Sequence, residues 1–193
     1  HLSLRRQRQM CIRDSMYSNY NEYYYDNIYY NNFTRASVPT YAIAYVKGGT
    51  KYPNITGTVI FKDVPDGCEV YVNIKNLPPY KPAEGNSPQI GPFGFHIHEN
   101  SCGNPGTTDN PFPQTGEHWN PTNQPHGNHA GDFPVLFSNN NSITKMSFFT
   151  SKFKVRDIIN RSVVIHESPD DYRTQPSGNS GKKIACGTII ARF

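Results

Sequence analysis

Hydrophobic and polar residues alternate along this chain in short runs that begin at Tyr41, and turn chemistry stops each one. Tyr41–Val46 is the first run, Gly48-Gly49 turns it, and Gly57–Lys62 is the second. Pro65-Asp66-Gly67 supplies a type I or II turn signal. In Cys68–Lys75, Val70, Val72 and Ile74 alternate with Glu69, Tyr71, Asn73 and Lys75, which predicts a strand with one buried and one wet face. Leu77-Pro78-Pro79 ends it, and four prolines and two glycines make residues 79–92 a loop. Another run covers about 93–98. Further strands are predicted near Val135–Phe137, Thr144–Thr150, Ser162–His166 and Ala185–Ile190. Asn139-Asn140-Asn141 turns between the first two, and Phe153–Asn160 reads as a short helical turn or a bent edge. Short strands at this spacing, with no long amphipathic helix, predict an all-β domain built as an antiparallel sandwich or barrel.

The run Phe95-His96-Ile97-His98-Glu99 adds chemistry to the fold. Residues i and i+2 of a strand share a face, roughly 6.5–7 Å apart. His96 and His98 therefore face one way, and Phe93, Phe95 and Ile97 face the other. Six of the seven histidines (His96, His98, His118, His126, His129 and His166) lie between positions 96 and 166. Residues 99–133 hold five prolines and five glycines and no regular pattern. A loop that long inside a compact domain is usually functional or disordered, and its candidate metal ligands favour function. Imidazole suits zinc and copper. Strand-borne His96, His98 and His166 form a rigid set fit for a redox metal. His118, His126, His129 and Asp132 offer three nitrogens and one carboxylate oxygen, a closed four-coordinate set for zinc. His118 serves both groups if each ring nitrogen takes a different metal.

Composition and charge narrow the rest. The absence of an apolar run of 18 residues excludes a membrane-spanning helix. The formal charge is +4, but Arg5, Arg6, Arg8 and Arg13 against Asp14 supply +3 of it, which leaves +1 for the remainder and argues against nucleic acid as a partner. Residues 1–15 resemble translated sequencing-adaptor read-through and are expected to be an artefact, with Met16 near the natural start. Cys11 is therefore left aside. Residues 16–39 form a Tyr/Asn-rich segment expected to be a flexible leader, and 40–193 form the folded domain. Both an exported or periplasmic location and a cytoplasmic one stay open.

Gly94-Phe-His-Ile-His-Glu99, His118-Trp-Asn-Pro121, His126-Gly-Asn-His-Ala-Gly-Asp132, Val164-Ile-His-Glu167 and Gly178-Asn-Ser-Gly-Lys-Lys-Ile-Ala-Cys-Gly187 together resemble the copper/zinc superoxide dismutases, in family order. The short segment between His126 and His129 is similar to the bacterial branch rather than the animal enzymes. The resemblance implies an Ig-like Greek-key β-sandwich, or flattened eight-stranded barrel, with long metal-binding and channel loops, an architecture that includes this family. It implies copper at His96, His98, His118 and His166, and zinc at His118, His126, His129 and Asp132, with His118 bridging. Asp170 is implied as the outer carboxylate that holds one histidine of each metal, with Glu99 also orienting ligands nearby. Cys102 and Cys186 are implied as a disulfide, and Cys68 as a buried free thiol.

The implied reaction is disproportionation of superoxide to dioxygen and hydrogen peroxide by Cu(II)/Cu(I) cycling beside a structural zinc, with His118 and Lys183 as the catalytic residues. Lys183 stands where the family usually has an arginine that guides the anion, and Ser177 where it often has a threonine at the channel mouth. Lysine keeps the charge but loses the planar fork, so steering is expected to persist and orientation to loosen. A homodimer is one assembly that the resemblance allows. The rival class is a non-enzymatic copper/zinc-binding protein on the same fold, and retention of all four copper positions favours the enzyme.

Overall fold

The alternating runs become seven strands in the computed structural model, which describes residues 38–193. They are β1 (Tyr41–Gly48), β2 (Thr56–Val64), β3 (Gly67–Lys75), β4 (Phe95–His98), β5 (Ile143–Thr150), β6 (Ser162–His166) and β7 (Lys183–Arg192). The expected artefact at 1–15 lies outside the described residues, as does nearly all of the leader. One sheet runs in the order β4-β6-β7-β1-β2-β3-β5, and every pairing is antiparallel. Strands β1 to β3 form a meander, and the chain then crosses from one edge of the sheet to the other to lay down β4.

Period-two alternation decides which side chains go inside. Ala42, Ala44 and Val46 of β1, Val59 and Phe61 of β2, and Val70, Val72 and Ile74 of β3 are buried, whereas Tyr45 and Tyr71 are exposed. The strand β4 is buried on both faces: Phe95 and Ile97 join the apolar core, and loops cover His96 and His98. Phe133 is the ring that curls the sheet. It packs on Phe95 of β4 at 5.2 Å and on Phe148 of β5 at 5.0 Å between centroids, and so joins the two outermost strands. A buried phenylalanine contributes roughly 1.5–3 kcal/mol, and here that gain sits across the seam.

The eighth strand expected at Val135–Phe137 does not form. Phe93 and Leu136 exchange one pair of backbone hydrogen bonds (2.9 and 2.8 Å), and past them only the Phe133 amide reaches across, to the Phe95 carbonyl at 3.2 Å. Pro134 stands at the next rung and has no N–H to donate there. The Val135 amide instead donates to the Tyr172 hydroxyl at 2.9 Å. The fold is thus a sandwich-like half-barrel of seven strands closed by side chains. Phe153–Asn160 contains one helical turn, α1 (Val155–Ile158), with Val155 and Ile158 in the core.

Two features position the site. Cys102 and Cys186 are disulfide-bonded with Cα atoms 5.9 Å apart, which pins the long loop against β7. Their small cluster includes buried Phe112 and Val164. Just before Cys186, at the start of β7, the register slips. Ile165 pairs with Ala185, but His166 pairs with Lys183, so Ile184 is an extra residue. Such a bulge re-aims a side chain. Here it sends Ile184 into the core and sets Lys183 directly across from His166. Cys68 is a buried free thiol, and burial pushes its pKa up to about 11.

Candidate metal centre

The free edge of β4 organises the long loop without a regular strand. The Ile97 amide donates to the Gly131 carbonyl (2.9 Å), the Trp119 amide to the Ile97 carbonyl (2.8 Å), and the Gly131 amide to the Trp119 carbonyl (3.1 Å). These bonds set His118 opposite His98 and Asp132 opposite His96 as isolated bridges. Gly131 permits this approach, because a Cβ there would stand 2.6 Å from the Ile97 carbonyl oxygen. The loop ligands are therefore clipped to the strand that carries the first two histidines.

Two four-residue groups of potential ligand atoms result, His96, His98, His118 and His166, and His118, His126, His129 and Asp132, each within 4.8 Å of one another, and a third group, His96, His126 and Asp170, links them. All six histidines are buried, and His118 belongs to both groups. In four of the rings the outward nitrogen is engaged. His98 Nδ1 donates to the Gly116 carbonyl (2.9 Å) and His166 Nδ1 to the Gly181 carbonyl (3.0 Å). His96 Nε2 and His126 Nε2 donate to the two oxygens of Asp170, at 2.7 and 2.8 Å.

A carbonyl or carboxylate only accepts, so each of these contacts fixes the ring proton on the outside and leaves a bare lone pair facing inward. His98 Nε2 and His166 Nε2 then point lone pair to lone pair at 3.2 Å. His96, His126 and His129 each leave a buried Nδ1 with no hydrogen-bond partner. Buried acceptors without donors are costly, and a cation at each cluster satisfies them. Outer partners that fix tautomer and orientation are characteristic of metal ligands.

Electrostatics point the same way. Burial, reinforced by His118 and His166, holds His96 and His98 well below the ordinary imidazole range. Burial takes His166 down to about 3 and also lowers His129. Neutral imidazole is the form that binds metal. Burial raises Asp132, but the His118 hydrogen bond and the charges of His126 and His129 outweigh it and hold its carboxyl at about 2, ionised. The Gly127 and His129 amides fix Asp132 Oδ2 at 2.8 and 3.0 Å.

A family model described as copper/zinc superoxide dismutase (SODC) matches residues 55–189. The chain belongs to the copper/zinc superoxide dismutase family. It is 33% identical to a superoxide dismutase [Cu-Zn] of Deinococcus radiodurans over 153 residues, covering 71% of this chain and 78% of that protein. It is also 33% identical over 145 residues to a superoxide dismutase [Cu-Zn] of Legionella pneumophila, covering 71% and 79%. Among solved structures, the crystal structure of the clock protein EA4 superposes with a TM-score of 0.64 at 28% identity, covering 82% of this chain and 99% of that one. Membership makes the chain an oxidoreductase with copper and zinc as its metals, and the two donor sets fit them: four imidazoles for copper, three imidazoles and a carboxylate for zinc.

The remaining residues expected from the sequence divide. Asp170 is buried between His96 and His126. Lys183 is half-buried, and its ammonium donates to Thr115 Oγ1 (2.7 Å) and to the Gly116 carbonyl (3.3 Å). Burial lowers its pKa while Glu117 raises it. Ser177 is half-buried, with its carbonyl accepting from the Ser180 hydroxyl at 2.9 Å. Glu99 is exposed, and its carboxylate accepts from the Glu117 amide at 3.4 Å, so it supports the loop rather than a ligand.

Several supporting residues escaped the sequence reading. Gln175 grips the backbone of His126 from both sides, accepting from its amide at 2.8 Å and donating to its carbonyl at 3.3 Å. Gly178, at φ +65°, lies against Asp170 and His126 where a Cβ would collide with both. The motif that begins at Gly178 is part of the family resemblance, but nothing in its Ser and Asn residues announces this close approach.

Proposed function

We propose that this chain catalyses the disproportionation of two superoxide anions and two protons to dioxygen and hydrogen peroxide. Copper would be held by His96, His98, His118 and His166, and zinc by His118, His126, His129 and Asp132. The observation that carries this is the pair of inward lone pairs on His98 and His166, with the ring of His118 shared between their cluster and the carboxylate-bearing one. Bound copper supplies the one-electron couple that takes an electron from one superoxide and returns it to the next.

The chain's own groups do the rest. Carbonyls and Asp170 hold the rings with their free nitrogens inward, so little reorganisation is needed when charge changes. The Asp132 carboxylate faces His118 Nδ1 at 3.3 Å and leaves Nε2 on the opposite side. At that nitrogen His118 holds a proton between the two half-reactions and gives it to the departing peroxide. Lys183 supplies fixed positive charge beside His98 and His166, which draws an anion inward and raises encounter rates at low ionic strength. Ser177, in the loop that leads from β6 into β7, belongs to the mouth of this approach.

Metal analysis together with a dismutation assay tests the reading. About one copper and one zinc per chain with activity supports it. Zinc alone without activity, or protein that stays copper-free when offered the metal, overturns it.

A further inference from the structure

Lys183 is not a free cation at the rim of the centre, because a buried hydroxyl fixes it. Thr115 is fully buried and ends a 3-10 turn, Pro113–Thr115, that follows Phe112. Its Oγ1–H donates to the Phe112 carbonyl at 3.0 Å, which uses the only proton the hydroxyl has. What remains on Oγ1 can only accept, and the Lys183 ammonium donates to it at 2.7 Å. The Gly116 carbonyl takes a second N–H of the ammonium at 3.3 Å, and it is the same oxygen that receives the His98 Nδ1 proton. Phe112 in turn packs with Val164 and the Cys102–Cys186 disulfide. Held in this way, the ammonium has one N–H left of its three.

We propose that Thr115 is a positioning residue for the guiding cation, holding Lys183 so that a single N–H is presented to an incoming monoanion next to His98. This rests on the reading of Lys183 given under Proposed function. An arginine would present a planar fork. A lysine on a flexible stem needs an external anchor to reach one defined place, and Thr115 is that anchor. A one-point contact suits a small anion such as superoxide and gives no second donor to a bidentate oxyanion.

The test uses the metal-loaded full chain, with azide as the anionic probe and imidazole as a neutral one, both followed by the copper visible band. Thr115→Val is expected to weaken azide binding by roughly tenfold, the scale of one hydrogen bond to a charged group. Imidazole affinity should stay unchanged, and Thr115→Ser should restore azide binding to within about twofold. A general loosening of the site would weaken both probes in Thr115→Val, and that outcome overturns the proposal. Lys183→Met separates the two levels. If it leaves azide affinity untouched, the guiding role of Lys183 itself fails. If it weakens azide while Thr115→Val does not, only the positioning role of Thr115 fails. A measurement on the unaltered, reduced protein covers the case in which Thr115→Val does not fold. Ammonium protons of 15N-labelled Lys183 should exchange with water several-fold more slowly than those of exposed Lys75, and equal rates overturn the proposal.

Discussion

Asp170 joins the two ligand groups through one carboxylate, accepting from His96 Nε2 on one side and His126 Nε2 on the other. An amide cannot accept from both rings, since half of its head is a donor. Asp170→Asn should therefore weaken metal binding by roughly 10–100-fold, the usual cost of losing an outer partner. Competition with a chelator measures this, and unchanged affinity for both metals would remove Asp170 from the role. Lys183→Glu should cut the dismutation rate several-fold or more at low salt with metal content normal, and the deficit should shrink as salt rises. An unaltered rate would take Lys183 out of the mechanism. At this scale the two clusters of buried side chains were legible in the sequence because imidazoles at strand spacing are rare and informative. Thr115, Gly116 and Gln175 were not legible, because a hydroxyl, a backbone carbonyl and a grip on another backbone each meet partners far along the chain that only the folded course brings near.

Among the elements, the loop from Asp170 to Gly178 and the loop from His126 to Asp132 hold each other. The paired contacts of Gln175 with the His126 backbone complement the Asp170 bridge. Gln175→Leu should speed zinc loss to a chelator several-fold while the thermal transition of the metal-free protein moves by no more than a few degrees; zinc loss at the wild-type rate would show the grip to be incidental. The strands β1 to β7 were all readable as short runs, to within a few residues at their ends. The segment after Phe133 was not, because two hydrophobic residues beside Val135 look like a strand until Pro134 denies the next rung its donor. The 35-residue loop was readable as functional, yet its order comes from hydrogen bonds to the edge of β4, which no local pattern announces.

For the whole molecule, the buried imidazoles make metal-free stability depend on pH. His166 has a folded pKa of about 3 against 6.5 for an ordinary histidine, with His96 and His98 shifted in the same direction. Below about 6.5 the unfolded chain binds protons that the folded one refuses, so stability is complete above that pH and falls as pH drops toward 3. Asp132 adds a loss of the same sign between about 3.8 and about 2, where its folded carboxylate is held ionised. Denaturant midpoints of metal-free protein should decline steadily from pH 7 to pH 4, and a flat profile would contradict the burial of these rings. The slip between β6 and β7 bears on how such a chain changes over generations. Strand register, rather than the identity of the cation, chooses which side chain meets His166. Position 183 can thus exchange arginine for lysine in a single step without rebuilding the sheet, whereas a regular ladder that kept all its residues would bring Ile184 against His166 and leave the site without its cation.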